Sequence, residues 1–316
     1  MRKLILRFIV FILILFIILL ILSRIVLPKN NSEEAGMNNI RAMKILGEKE
    51  NTVDMIVYGD SEAYASIIPL QLWNDYGYTS FICATSGQTL PDSCRIAYDT
   101  LKYQNPKIVV LEADTIYLNS EISVPVSRVL YEILPIMEYH NRWKNLSLKD
   151  FYGKIKYTER DSNKGYYYLS NVDPVENSEK YMEYSDEIEE IPKLNKIYVK
   201  MLKAYCESKG AEFVIVSVPS SNNWNYKRHN GVKQFANEEG IDFLDLNEKK
   251  DEIEIDWTKD TSDKGDHVNY PGAKKVTKYL GEWLKEKNIL ESHKDDINYN
   301  FWNDDLNIIV TTMNFY

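Results

Sequence analysis

The chain has 316 residues, 44% of them hydrophobic, with 38 Lys and Arg against 47 Asp and Glu. Its length suits one large domain or two small ones. The acidic balance excludes a nucleic-acid binder that relies on basic patches for the phosphates. Three cysteines without C-x-x-C spacing argue against a disulfide framework and a zinc site, although nothing in the sequence prevents two of them from pairing.

Residues 4–27 (LILRFIVFILILFIILLILSRIVL) contain an uninterrupted apolar run from Phe8 to Leu22, flanked by Arg7 and Arg24. With both arginines snorkelling, the segment reaches the roughly 20 residues that a bilayer span requires. Met1-Arg2-Lys3 supplies the positive end that stays cytoplasmic. A cleaved signal peptide wants small residues in an A-x-A pattern, and the chain has Ser23-Arg24-Ile25-Val26-Leu27-Pro28 instead. Residues 1–28 are therefore expected to be a cytoplasmic tip and single-pass membrane anchor, with the remainder extracytoplasmic. Setting aside the four basic residues ahead of Pro28 leaves 34 Lys and Arg against 47 Asp and Glu, a net charge of −13.

Residues 29–51 are polar, then weakly helical, and read as a stalk. A short apolar run, Met55 to Tyr58, then meets Gly59-Asp60-Ser61 and a helix-like stretch, EAYASIIPLQLW. Strand, glycine turn, serine and helix start are a common way to present a nucleophilic hydroxyl where backbone N–H groups favour developing negative charge. Asp-Ser after a strand is equally a good helix N-cap. Residues 79–84 (TSFICA) predict a second strand ending in Thr85-Ser86-Gly87-Gln88-Thr89, and residues 91–104 a helix. Residues 107–111 (KIVVL) predict a third strand, apolar on both faces as covered parallel strands are, ending in Glu112-Ala113-Asp114. Strands alternating with helices imply βαβ units and a mainly parallel, doubly wound sheet, whose sites form beyond the strands' carboxyl ends. All three motifs fall at such ends.

Residues 116–191 break the rhythm. Residues 124–143 are expected to be helical and carry His140, Arg142 and Trp143; a tyrosine-rich stretch follows. This segment reads as an insertion lying over the sheet. The alternation resumes with a helix at 193–208, a strand at 212–218, a helix at 227–239 closed by Gly240, and a strand at 241–246. A polar loop then delivers His267 ahead of an amphipathic helix opened by Pro271-Gly272. Residues 52–287 thus form one expected domain, and the tail, 288–316, has no functional reading.

Attack by a serine needs a base and a carboxylate that holds the base in the right tautomer. Of four histidines, His229 sits mid-helix among polar residues and His293 in the tail, so both are expected to be solvated. His140 lies in the insertion. His267, with Asp263 and Asp266 beside it, is the natural base.

Gly59-Asp60-Ser61 with Asp263-Lys264-Gly265-Asp266-His267-Val268-Asn269 before the last helix resembles the SGNH/GDSL hydrolase superfamily. Within it, the pattern is similar to the membrane-anchored branch related to the teichoic-acid D-alanyl transfer protein and polysaccharide O-acetyltransferases. The resemblance spans roughly residues 54–114 and 212–284, with an echo at 139–143. It implies a three-layer α/β/α sandwich of flavodoxin-like type, with Ser61 as nucleophile, His267 as base and Gly87 offering an oxyanion-hole N–H. The superfamily places its aspartate three residues before the histidine, where this chain has Lys264. Asp263 and Asp266 thus remain alternatives, with Asp263 preferred because an adjacent side chain usually points away from its neighbour's ring. The family's asparagine after the third strand is replaced by Glu112-Ala113-Asp114, and a carboxylate cannot donate to an oxyanion. The hole would rest on backbone groups helped by Gln88, with Glu112 or Asp114 serving acceptor recognition and His140, Arg142 and Trp143 lining the mouth.

The implied activity is transfer of an acyl group (acetyl or D-alanyl) through an acyl-enzyme to hydroxyls of a cell-surface polysaccharide or teichoic acid. A membrane-bound O-acyltransferase would be the partner, and no cofactor, metal or nucleic acid would take part. An extracytoplasmic carbohydrate esterase, or an inactive accessory of a polymer-modifying complex, are the alternatives.

Overall fold

The computed structural model of the protein describes residues 1–120, 133–175 and 178–313. They form two compact units, Met1–Ile40 with Glu121–Glu159, and Arg41–Ser120 with Arg160–Tyr316.

The larger unit is built on five strands: β1 (Met55–Gly59), β2 (Ser80–Ala84), β3 (Ile108–Glu112), β4 (Glu212–Ser217) and β5 (Asp242–Asp245). All pairings are parallel, in the order β2-β1-β3-β4-β5. Every residue of β1, β2 and β3 is buried, which is why these strands read as continuous apolar runs. The helices are α2 (Ile40–Met43), α3 (Ser61–Ser66), α4 (Pro69–Tyr76), α5 (Leu90–Thr100), α8 (Lys193–Ser208), α9 (Tyr226–Glu239), α10 (Tyr270–Lys287) and α11 (Asn300–Met313). They cover both faces. Met55 and Val57 cluster with Leu72 of α4 and Val276, Leu280 and Leu284 of α10. Tyr58 turns to the other face, its hydroxyl 2.7 Å from that of Thr100 on α5. The result is the expected α/β/α sandwich with a parallel sheet.

The strand order reverses its direction of growth at β1, between β2 and β3. In open sheets of this kind the crevice for ligands lies there, beyond the carboxyl ends. Gly59 permits that geometry, since a Cβ in its place would stand 2.6 Å from Glu112 Cβ on the neighbouring strand.

Two expectations change. The helix expected at 62–73 is two helices, because Pro69 cannot continue the first and instead starts the second. Much of the expected stalk is core: Ala42, Met43, Ile45 and Leu46 are buried, and the Asn51 N–H donates to the Tyr103 carbonyl. The tail is also structured. Its helix α11 places Trp302, fully buried, 5.7 Å from Trp73. Beside this pair Lys164, wholly buried, sets its ammonium 2.9 Å from both Glu48 oxygens and 2.5 Å from Asp305, with Arg160 bridging the same two carboxylates.

The smaller unit contains the N-terminal helix α1 (Arg2–Val26) and the short helices α6 (Ile136–Tyr139) and α7 (Leu148–Tyr152). By length and composition α1 can cross a membrane. Only Ser23 and Val26, in its last turn, are buried, where α6 and α7 pack against it. Of the described residues in the expected insertion, 133–159 thus group with α1, and those from 160 to 191 with the sheet. The helix expected at 124–143 falls partly outside the described residues; its described part is α6 followed by a 3-10 turn, His140–Asn145.

Candidate active site

Ser61 is the first residue of α3, immediately after β1. Asp60 caps that helix, its carboxylate accepting the Glu62 N–H at 3.0 Å, so the hydroxyl is carried at the start of a helix on a rigid strand end. Burial raises the pKa of the Tyr64 phenol, a rise that the Arg41 charge and the Ser86 and Ser61 hydroxyls oppose. The Arg41 guanidinium sits 4.8 Å from the ring centres of both Tyr64 and Tyr167, which fixes the tyrosine in place.

His267 comes from the loop between β5 and α10. Two features shape that loop: an isolated bridge between Thr261 and Val268, and a turn in which Lys264 and Gly265 take positive φ. The turn brings Asp263 back onto the histidine. One Asp263 carboxylate oxygen accepts the His267 backbone N–H at 2.7 Å, and the other lies 2.6 Å from Nδ1. Asp266 is 3.5 Å from the same nitrogen. The Asp263 bond fixes the tautomer that leaves Nε2 as the acceptor. His267 Nε2 is buried and has no hydrogen-bond partner among the described residues.

The residue after Ser61 ties it to this loop. Asn223, on the loop after β4, makes the link: its Nδ2 donates to Glu62 at 2.6 Å and to Asp266. Four carboxyl groups crowd the sheet edge. Burial, only partly offset by the Glu62 N–H and His267, raises Asp60 to about 6. Burial and the Asp60 charge raise Asp114 to about 7 against the opposing Arg228 guanidinium, 2.6 Å away. Glu62 and Glu112 are pushed well above the usual carboxylate range, chiefly by burial. Of these, Glu62, Glu112 and, in part, Asp114 hold protons near neutrality.

The other expected site residues divide. Gly87, at φ +61°, is exposed in the loop after β2 with open space over its α-carbon, as a backbone oxyanion donor would need. Gln88 is committed elsewhere: its amide nitrogen donates to the Cys83 carbonyl and to Ser93, and its oxygen faces the Thr85 hydroxyl. Glu112 is spent on its own turn, accepting the Asp114 and Thr115 N–H groups, and Asp114 is held by Arg228. Arg142 and Trp143 belong to the smaller unit. There Arg142 is buried, donating to the Val26 carbonyl and pairing with Asp150 at 2.8 Å, while Trp143 and His140 are exposed.

Two histidines depart from expectation. His229 is buried, with Nδ1 2.7 Å from Asp245, because the register of α9 turns it toward β5. His293 is half-buried, stacked on Tyr299 and 2.5 Å from Asp54. Sequence reasoning missed Asp60, Glu62, Tyr64, Asn223 and Arg228. A usable signal existed for Asn223, since Ser220-Ser221-Asn222-Asn223 follows β4 at the same sheet edge.

Among the described residues, Asp263, Asp266 and His267 also have ligand atoms close enough for a metal, within 4.8 Å of one another. The 2.6 Å separation of Nδ1 and Asp263 is that of a charge-assisted hydrogen bond. Two ligands of one ion would stand about 3 Å apart.

Fold and site together define a doubly wound α/β/α protein with a serine at the β1 end and a carboxylate-held histidine on the loop before the last helix. No protein-family model matches the sequence, and no curated protein does. Solved structures similar in chain path include a lipase/acylhydrolase from Enterococcus faecalis (10% identity, 74% of this chain and 97% of that one, TM-score 0.41). A GDSL-like lipase from Bacteroides thetaiotaomicron VPI-5482 matches at 10% identity over 79% of this chain and 98% of that one, TM-score 0.41. The acetyl xylan esterase AlAXEase matches at 14% over 73% and 98%, TM-score 0.38. At these identities and scores the likeness assigns no activity to this chain.

Proposed function

We propose that the protein is a membrane-anchored serine acyl-enzyme former of SGNH/GDSL type. The carrying observation is His267: Asp263 holds Nδ1, and Nε2 is left buried without a partner among the described residues, in a loop tied through Asn223 to Glu62, the residue after Ser61. A base so arranged takes the Ser61 Oγ proton as the hydroxyl attacks an ester carbonyl. The Ser61 and Gly87 N–H groups meet the oxyanion. His267 then returns the proton to the leaving alkoxide, and the acyl group remains on Ser61 Oγ.

The second half-reaction passes that acyl group, acetyl or D-alanyl, to a hydroxyl of a cell-surface polysaccharide or teichoic acid, donated through a membrane-bound O-acyltransferase. The apolar helix α1 favours such a substrate, because it would keep the site at the membrane on the extracytoplasmic side. Release to water instead would make the protein a carbohydrate esterase. An inactive accessory role is the non-enzymatic reading.

Fluorophosphonate labelling of the full chain in detergent tests the nucleophile. Labelling lost in Ser61→Ala and strongly slowed in His267→Gln is expected; labelling that survives Ser61→Ala refutes the assignment. Ester-linked acyl content of the host's surface polymers then separates the readings. Loss of one ester in the Ser61→Ala strain marks transfer, a gain marks an esterase, and no change marks the accessory role.

A further inference from the structure

The smaller unit carries an exposed apolar surface that its packing against α1 positions at a defined depth. If α1 spans, as proposed above, residues 4–22 measure about 28 Å along the helix axis, close to the ~30 Å of a hydrocarbon core. Ser23 then stands at the boundary between acyl chains and headgroups. The Ile136 N–H donates to Ser23 Oγ at 3.2 Å, and Arg142 donates to the Val26 carbonyl, only ~4.5 Å further along the axis. Arg142 also holds Asp150 of α7. The segment 133–155 is thus hydrogen-bonded to the last turn of the helix, at the height of the headgroups.

At that height its large side chains are turned outward. Met137 is 51% exposed, Trp143 66%, Leu148 78%, Phe151 59% and Tyr152 75%. Such side chains on short helices in water would be a liability, but tryptophan, tyrosine and neighbouring aliphatics are what interfaces collect. The charge agrees. Residues 133–159 hold five basic side chains and three acidic ones, in a chain otherwise strongly acidic. Lys144 lies 5.9 Å from the Trp143 ring centre, and Lys149 and Lys154 flank Phe151.

We propose that residues 133–155 form an interfacial foot, which buries Trp143, Leu148, Phe151 and Tyr152 in the headgroup region of an anionic bilayer beside the α1 span. The foot fixes the smaller unit against the membrane surface, so the chain is held by a span and a lateral contact rather than by a swivelling tether. Each buried side chain adds apolar contact, and the lysines add attraction that weakens with salt.

The test uses the full chain in vesicles of phosphatidylethanolamine and phosphatidylglycerol, spin-labelled at Leu148→Cys, Phe151→Cys or, within the span, Ile12→Cys. The native Cys83, Cys94 and Cys206 are buried, which favours labelling at the new thiol. Power-saturation measurements with oxygen and a water-soluble nickel chelate read the depth of each label. The expected result places labels 148 and 151 about 5–10 Å into the interface, more accessible to oxygen than to the chelate. Chelate accessibility of a free label at 148 and 151, with the Ile12 label deep, overturns the foot and leaves the anchor standing. A water-exposed Ile12 label overturns the anchor itself. Shielding of 148 and 151 from both reagents means that protein, a second copy or a membrane partner, covers the surface, and overturns the lipid contact.

Discussion

Which aspartate serves His267 has a quantitative consequence. In Asp263→Asn the side chain keeps an oxygen for the His267 backbone N–H but turns a donor toward Nδ1, where a carboxylate now sits at 2.6 Å. The interaction at stake is that of a carboxylate with the imidazolium formed during attack. For unit charges ~3 Å apart it is about 5 kcal/mol at an effective dielectric near 20, and about 1.4 kcal/mol in bulk water. Asp263 is 44% exposed, so solvent screens part of it, and an intermediate value of about 3 kcal/mol applies. That is a loss of about a hundredfold in kcat, less than the ~10⁴-fold seen where the triad carboxylate is buried. Asp266→Asn, at 3.5 Å, is expected to cost less than about tenfold. The assay is p-nitrophenyl acetate hydrolysis by the purified full chain, with thermal unfolding to confirm that both variants fold. Equal losses in the two variants, or an unimpaired Asp263→Asn, would refute the assignment.

Asp60 makes stability pH-dependent. Its carboxyl is raised from 3.8 to about 6 in the fold, so the folded state is disfavoured as the group ionises. The penalty is absent below pH 3.8 and complete above about 6, at roughly 3 kcal/mol. Asp60→Asn keeps a helix-capping oxygen, and thermal unfolding in detergent is expected to show it gaining on the parent between pH 4 and 7; a constant difference across that range would contradict the shift. Lys164→Met leaves Glu48 and Asp305 buried with Arg160 alone, and a loss of about 3–5 kcal/mol is expected by denaturant unfolding. His229→Asn, which breaks a buried pair with Asp245, is expected to lower the unfolding temperature yet leave fluorophosphonate labelling intact; loss of labelling without loss of stability would put a second histidine in the chemistry.

Much of the fold is legible locally. Short apolar runs that end in Gly59-Asp60-Ser61, Ser86-Gly87-Gln88 and Glu112-Ala113-Asp114 announce parallel strands and mark the edge where the site lies. His267 stands out as the candidate base because it alone among the four histidines sits in a loop with carboxylates before the closing helix. What stayed hidden depends on contacts between distant segments. Nothing near Trp302 in sequence says that Trp73 will receive it, so the tail carries no reading from sequence. His229 lies among Lys227, Arg228 and Asn230, and only the meeting of α9 with β5 buries it. The acidic crowd around Ser61 is scattered over the turn after β1, α3 and the end of β3, and burial rather than composition gives it meaning. Gln88 shows the reverse error: a side chain placed by sequence beside the oxyanion is turned inward by its own loop.

The Lys164 cluster also bears on the order in which the chain is completed during synthesis. Its ammonium is matched by Glu48, made 116 residues earlier, and by Asp305, made 141 residues later. Until Asp305 emerges, one of the two anions that flank two cations is missing, and Trp73 lacks its fully buried partner. A sheet completed at Asp245 must therefore wait some sixty residues of further elongation, at about 5–20 residues per second a pause of several seconds, before its last cover docks. That interval is when a chaperone has most to protect.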